Sequence, residues 1–390
     1  MKFIDFFAGI GGFRRGMELA GHECVGFCEF DKFATASYIS MHLLTEEQRK
    51  TLEDIPIKKR QKEILKEEYR NGEWYANDIR RVYAGDIPKA DCWCFGFPCQ
   101  DISVAGKQAG FQGNRSSLFF RVMYLVGQLK EEDKPTYLFI ENVKNLLSVN
   151  GGWDFARLLI EMEQWGYDAE WQVLNSKDFG VPQNRERCFI IGHLRGRSSA
   201  EVFPIKGTDR ENSVSLNLFG CLNGRNSQRD RVYSVDGLAP TISTKPGGNT
   251  EPKIAIPVLT PDRAEKRQNG RRFKEDGEPM FTLTGQDRHG IAIEVREAMN
   301  AFAVDREQGI FVQVSEELVV YAVWYEKYQC YIAVRKLTPK ECFRLQGWTD
   351  DYYAKAQFVN SDSQLYKQAG NGVTVTVIEA MARKMNVNLN

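Results

Sequence analysis

The sequence has few histidines, no long apolar run and no excess charge of either sign, and each shortage removes a class of protein. Four His among 390 residues, at 22, 42, 193 and 289, are too few and too scattered for a histidine-built metal centre. No apolar stretch approaches the ~18 residues that a membrane-spanning helix requires. The opening MKFIDFFAGIGGF enters a strand-like run directly, without the order of basic, apolar and small residues that marks a cleavable signal. The predicted location is therefore intracellular. Nine Cys, an odd number at irregular spacing, argue against a disulfide framework and for a reducing compartment. A structural zinc would need paired ligand units. Cys92-x-Cys94 has no second pair after it, so no metal is expected.

What remains is an ordinary globular composition, 42% hydrophobic and 27% charged, in a chain long enough for two domains or one large domain with an insertion. The net charge is zero, but its distribution is uneven. Residues 195–274 hold 15 Lys and Arg against 8 Asp and Glu, and residues 275–334 hold 4 against 11. The basic part is either a phosphate-facing surface or a solvated face. Apolar runs at 2–7, 24–28, 91–95, 137–140, 169–174 and 188–192 alternate with helical patterns near 13–20, 30–43, 118–130 and 153–165. That rhythm predicts an α/β fold with a largely parallel sheet covered on both faces.

Two stretches depart from it. Residues 45–82, with KKRQKEILKEEYR at their centre, read as an inserted charged helix laced with solvent. Residues 196–334 are richer in Gly, Asn, Ser and Thr, and carry a faint internal echo between 240–256 and 279–293 that is either two hairpin-like units or coincidence. Helical patterning returns from Arg335 to Lys384.

FFAGIGGF falls at the first strand-to-helix turn, where glycines let a ligand approach the backbone and the helix start offers free N–H groups. Arg14 occupies the place of the third glycine of a dinucleotide fingerprint, which disfavours nicotinamide and flavin cofactors. Glu29, at the end of the next strand, is placed to accept hydrogen bonds from both ribose hydroxyls, and Asp86, in AGDI, ends another candidate strand. The glycine turn and the acids also have bland readings as a tight turn and surface carboxylates. Together they favour a nucleoside without a pyrophosphate, with S-adenosylmethionine as the candidate.

In CWCFGFPCQ, residues 92–100, Cys92 and Cys94 lie within an apolar strand and read as small core residues. Cys99 lies beyond the strand end, after Pro98, where an exposed thiol near helix starts or arginines can become a nucleophile. Glu141 ends another buried strand and, if burial raises its pKa, can donate a proton; a helix cap or salt bridge is the alternative. Arg185 and Arg187 in QNRER fall on one side of an extended segment and could bind an anion or carbonyl together, or form a solvated charge run.

In order, FAGIGG at 7–12, Glu29 with Asp31, GDI at 85–87, GFPCQ at 96–100, GKQAGF and NRSSLFF within 106–120, ENVKN at 141–145, QNRER at 183–187, RKLTPKECFRLQGW at 335–348 and QAGNGV at 368–373 resemble the motifs of the cytosine-C5 DNA methyltransferases. The resemblance covers almost all of the chain outside 45–82 and 196–334. It implies a Rossmann-like S-adenosylmethionine-dependent methyltransferase fold, with a catalytic domain from 1–195 and 335–390 and a smaller inserted target-recognition region, 196–334. Carried over by position, Cys99 is the nucleophile, Glu141 acts at N3 of the base, and Arg187 with Arg185 holds O2 and the thiolate loop. The implied cofactor residues are Phe7, Gly9, Gly11, Gly12, Glu29, Phe30, Asp86, Ile87, Pro98, Leu118, Asn371 and Val373.

Two positions depart from the family pattern: Gly372 stands where many members carry Ser, and Phe30 where the aromatic is often Trp. Residues 100–118 would form the loop that closes on a flipped-out cytosine. The implied partner is double-stranded DNA, with no membrane, no obligate protein partner and a monomeric enzyme, as the modification arm of a restriction-modification system. A transfer-RNA methyltransferase of the same fold and a catalytically silent DNA-binding regulator are the alternatives. The recognition region of about 140 residues and the reading Cys342-Phe343-Arg344 disfavour the first, and intact Cys99, Glu141 and Arg187 disfavour the second.

Overall fold

A computed structural model describes residues 1–97, 117–207, 217–221, 231–234, 257–259, 289–295, 310–315, 318–325, 330–336 and 338–385. Up to residue 195 the order is β1 (Lys2–Phe6), α1 (Gly12–Leu19), β2 (Glu23–Cys28), α2 (Lys32–His42), α3 (Glu46–Glu53), α4 (Ile57–Glu63), β3 (Trp74–Ala76), β4 (Cys92–Gly96), α5 (Ser117–Gln128), β5 (Tyr137–Val143), α6 (Trp153–Gln164), β6 (Tyr167–Asn175) and β7 (Glu186–Leu194). These strands form one seven-stranded sheet in the order β3-β2-β1-β4-β5-β7-β6. The sheet is parallel except for β7, which runs against both β5 and β6.

The continuous apolar character of the central strands follows from burial on both faces. In β4, Trp93 and Phe95 point into the core beneath α5 and α6, joined by Ile4, Phe6, Leu138 and Ile140. Cys92 and Cys94 point the other way, with Phe3, Tyr137 and Phe139, toward α1 and the last helix. Their sulfurs lie 3.7 Å apart and fully buried, so these two thiols are packing groups, as their place in the strand predicts.

The charged stretch 45–82 is not one solvated helix. It folds as α3, α4 and β3 with short 3-10 turns between them, and β3 extends the main sheet by pairing with β2. Leu52 and Ile64, both 0% exposed, and Tyr69 pack with Phe27, Tyr38 and Ile39 in a core of their own. Part of the charge is structural. The Arg60 guanidinium donates to the carbonyls of Leu52 (2.8 Å) and Phe358 (2.7 Å) and stacks 3.8 Å from the Phe358 ring centroid.

Among the described residues of 208–336 the structure is β-strand. The strands β8 (Asn217–Cys221) and β9 (Arg231–Ser234) pair antiparallel. The strands β10 (Pro257–Leu259), β11 (His289–Val295), β12 (Ile310–Ser315), β13 (Leu318–Tyr325) and β14 (Cys330–Lys336) form an antiparallel sheet in the order β10-β11-β14-β13-β12. The expected echo at 240–256 and 279–293 lies outside the described residues except for 289–293, within β11. Arg335 belongs to β14, so the return of helix comes slightly later than the pattern predicts. The helices are α7 (Pro339–Leu345), α8 (Asp350–Gln357), α9 (Asp362–Asn371) and α10 (Val375–Ala382), and α7 opens on a capping box between Thr338 and Glu341.

Because Leu52 is core, Leu52→Ala should destabilise the protein by about 2–5 kcal/mol, measured by urea unfolding. A shift within about 0.5 kcal/mol, the usual result at a solvated position, would return 45–82 to the status of a surface insertion.

Candidate active site

Strand order reverses at β1. From β1 the chain moves outward through β2 to β3, then crosses back to pair β4 on the other side of β1. Ligands bind at the carboxyl ends of strands where such a reversal opens a crevice. The residues that follow β1, β2 and β3 lie on one side of this crevice, and the ends of β4 and β5 on the other.

On the first side, the chain leaves β1 through three left-handed residues, Phe7 (φ 54°), Gly9 (φ 57°) and Gly11 (φ 84°). A non-glycine residue at Phe7 in this conformation is a local strain of the kind found at ligand clamps. Glu29 holds the turn: its carboxylate accepts from the N–H of Gly9 at 2.8 Å and of Asp31 at 2.7 Å. Burial nonetheless raises the pKa of Glu29. Asp31 caps α2 through the N–H groups of Phe33 and Ala34 and pairs with Lys367 on α9 at 2.6 Å. Phe30, between these acids, is 67% exposed, an unusual state for a large aromatic side chain.

The acid that follows a strand here is Asp78, not Asp86. Asn77 and Asp78 come directly after β3 and, with Phe30 and Arg80, line an open cleft of about 340 Å³. Asp86 is exposed in a 3-10 turn, Ala84–Asp86, and Ile87 after it is buried in the core. Asp78 accepts from the backbone N–H of Arg80 (3.0 Å) and from its guanidinium (2.7–3.1 Å), contacts that hold its carboxyl below the usual range. Asn77-Asp78-Ile79 offers the same Asp-Ile signal as Gly85-Asp86-Ile87. It was hidden because the strand before it is three residues long and sits at the end of a charged stretch.

On the second side, β4 and β5 pair so that Gly96 lies opposite Glu141. A Cβ at Gly96 would come within 3.1 Å of Glu141 Oε2, so this glycine admits the carboxylate. The Arg187 Nε lies 3.0 Å from Glu141 Oε1, in a pair whose side chains are only 16% and 12% exposed. Buried Asn142 donates to the carbonyl of Phe97 at 3.3 Å and so fixes the backbone just before Pro98. Pro98 and Cys99 themselves, with the loop 100–116, lie outside the described residues. Leu118, near the start of α5, packs partly buried against the core that holds Trp93 and Phe95.

A family profile described as C-5 cytosine-specific DNA methylase matches residues 1–387. The chain belongs to that family. It is a DNA cytosine-5 methyltransferase. It is 30% identical to the orphan methyltransferase M.SPBetaI of Bacillus phage SPbeta, over 99% of this chain and 97% of that protein. It is 28% identical to the type II methyltransferase M.HhaI of Haemophilus parahaemolyticus, over 100% of this chain and 95% of the relative. Among solved structures, the S. pombe Dnmt2 methyltransferase shares the fold, with a TM-score of 0.53 at 15% identity over 98% of this chain and 97% of that one. Methyltransferases of this family generally use S-adenosylmethionine.

In this methylase the two arginines of QNRER separate. Arg187 faces Glu141, whereas buried Arg185 donates to the carbonyls of Gly372 (2.7 Å) and Gly370 (3.3 Å), at the end of α9. Arg185 precedes β7 and reaches toward the C-terminal helices, so these contacts give the two guanidinium groups different partners. Gln183 makes a parallel contact, donating to the carbonyl of Leu345 at 2.7 Å. These contacts deliver Val373 to the first turn. Asn371 is exposed at the last position of α9, and Val373 lies where a Cβ on Gly12 would meet its Cγ2 at 2.6 Å. Gly12 therefore permits the close return of the C-terminal segment.

His42 supports the glycine turn from below, donating Nε2–H to the carbonyl of Ile10 at 3.0 Å. Burial, reinforced by Arg14, depresses its pKa well below the ordinary value of about 6.5. Below that pH the unfolded chain binds a proton that the folded one refuses, so this contribution is intact above pH 6.5 and is lost as pH falls. His42→Gln should flatten the pH dependence of urea stability relative to wild type between pH 7 and 5, by up to about 1.4 kcal/mol per pH unit. Parallel slopes for the two proteins would show that His42 is not held neutral.

Proposed function

We propose that the protein transfers a methyl group from S-adenosylmethionine to carbon 5 of a flipped-out cytosine in a specific short sequence of double-stranded DNA, through a covalent bond between Cys99 and carbon 6. One observation carries the catalytic part of this reading: the β4–β5 register sets Glu141, already paired with Arg187, opposite Gly96, three residues before Cys99.

The first side of the crevice fits the cofactor. Among the described residues, nothing lies within 4 Å of where a Cβ of Gly9 would stand, which leaves space over the turn. Glu29 keeps lone pairs for ribose hydroxyls, Phe30 offers an exposed ring for the base, and Asp78 rather than Asp86 offers an acceptor for an exocyclic amine. Gly11 offers no side-chain cap to α1 and its first turn holds no acid; the Arg14 N–H already donates to Asp5 Oδ2 at 3.3 Å, which leaves the N–H groups of Gly12 and Phe13 to meet a carboxylate. When bound, S-adenosylmethionine supplies an electrophilic methyl group.

The chain's own groups activate the base. The Cys99 thiolate adds to carbon 6 and pushes electrons toward carbon 5. Glu141 shares a proton with N3, limiting the charge that would otherwise build up on the ring. Arg187 orients Glu141 and holds O2. Loss of the proton from carbon 5 then expels Cys99 and restores the aromatic ring. Extracting the base costs a few kcal/mol of stacking and pairing. Residues 196–334, with their basic excess in 195–274, supply target recognition, and the enzyme works as a monomer. Relatives named as type II and orphan methyltransferases support a role in modification of host or phage DNA, with or without a cognate nuclease.

With labelled S-adenosylmethionine, wild type should label unmethylated genomic DNA and Cys99→Ser should not, with the methylated cytosines sharing one short motif on bisulfite sequencing. Label in total tRNA alone would transfer the chemistry to the other substrate, and cofactor binding without any transfer would leave a silent DNA-binding protein. For the cofactor edge, Asp78→Asn should weaken binding of S-adenosylmethionine roughly tenfold, about the value of one hydrogen bond to a charged group, while Asp86→Asn leaves it unchanged in calorimetry. The reverse pattern would restore Asp86.

A further inference from the structure

The cleft at the end of β3 contains a group that the cofactor reading does not use. Arg80 lies two residues beyond Asp78, and its fork closes on that carboxylate: Nε donates at 2.9 and 3.1 Å and a terminal nitrogen at 2.7 Å. The same guanidinium has its central carbon 5.7 Å from the centroid of the Phe30 ring. A base sandwiched between ring and guanidinium would need about 7 Å, two contact distances of roughly 3.5 Å. Arg80 and a base therefore cannot share that face as it stands, and the carboxylate oxygens that would accept an exocyclic amine already accept from Arg80.

We propose, resting on the cofactor reading above, that Arg80 competes with the adenine of S-adenosylmethionine for Asp78 and Phe30, and so lowers cofactor affinity and speeds exchange of spent for fresh cofactor. Binding turns the guanidinium outward. The Arg80 side chain is 63% exposed and turns into water; the Asp78 side chain it leaves is only 12% exposed, and the amine of the base takes its place there. The backbone N–H of Arg80 keeps its own 3.0 Å bond to Asp78, so the carboxylate stays oriented when the side chain leaves. The competition acts at the base end, far along the ligand from the sulfonium. It must therefore affect the charged cofactor and its uncharged-sulfur product, S-adenosylhomocysteine, by the same factor.

Calorimetric titration of wild type, Arg80→Ala and Arg80→Lys with each ligand tests this. An ion pair with one partner in water sets the scale: Arg80→Ala should bind both ligands about two- to fivefold more tightly. Arg80→Lys should behave like the Ala variant, because Lys keeps the charge but lacks the planar fork. Unchanged or weaker binding in Arg80→Ala overturns the inference. So does tightening confined to S-adenosylmethionine, or absent in Arg80→Lys, since either would point to simple charge repulsion. Failure of wild type and variants alike to bind either ligand would overturn the cofactor reading, and this inference with it.

Discussion

The reversal of strand order between β1 and β4 is the constraint on which the rest depends. The pairing of residues 3–6 with 92–95 is parallel and fully buried, with Phe3, Ile4 and Phe6 facing Cys92, Trp93 and Phe95 in register. A slip of one residue would turn each apolar side chain to the opposite face. Because β2 and β4 flank β1, the glycine turn after β1 and Phe97 after β4 leave the sheet side by side. The two sides of the crevice are therefore neighbours by topology, before any side chain contributes.

The second requirement is the return of the C-terminal helices. Arg185 and Gln183 reach from the β6–β7 connection to the carbonyls of Gly370, Gly372 and Leu345. Thr374 bridges Ser176 and Gln346 at 2.8 Å each, and Gln346 donates to the carbonyl of Ala369 at 2.7 Å. This buried polar lattice is costly to leave incomplete, which makes it a specific lock rather than a general adhesive. It delivers Val373 to Gly12 and lets the last helix cover the face of the sheet that carries Cys92 and Cys94.

A third element is a buried ion cluster beneath the glycine turn. Arg14 replaces the glycine that a dinucleotide site would need, and its guanidinium pairs with Glu73 at 2.7 and 2.9 Å and with Glu18 at 2.7 Å, beside Tyr38. Glu73 comes from the charged stretch that looked like a surface insertion. Two buried charges removed from water need such pairing. The stretch 45–82 is thus tied to the sheet and to the helix after the glycine turn, by a strand and by an ion pair.

Much of this was legible in the sequence. Six strand runs and four helices of the sheet domain lie where their periodicity puts them, because apolar patterning reports burial directly. The order of FAGIGG, PCQ, ENV and QNRER led to the family, because the chemistry demands those residue types at strand ends. The sequence could not separate Asp78 from Asp86, since both precede Ile in a turn and only the short strand Trp74–Ala76 distinguishes them. Nor could it part Arg185 from Arg187, because two residues apart in a strand says nothing about which partner each will meet. Local pattern determined the elements and the inventory of reactive groups, since both depend on neighbours along the chain. Which acid faces the cleft, which arginine meets Glu141 and which charges are buried were decided only by tertiary structure, because each depends on a contact between residues 40 to 190 positions apart.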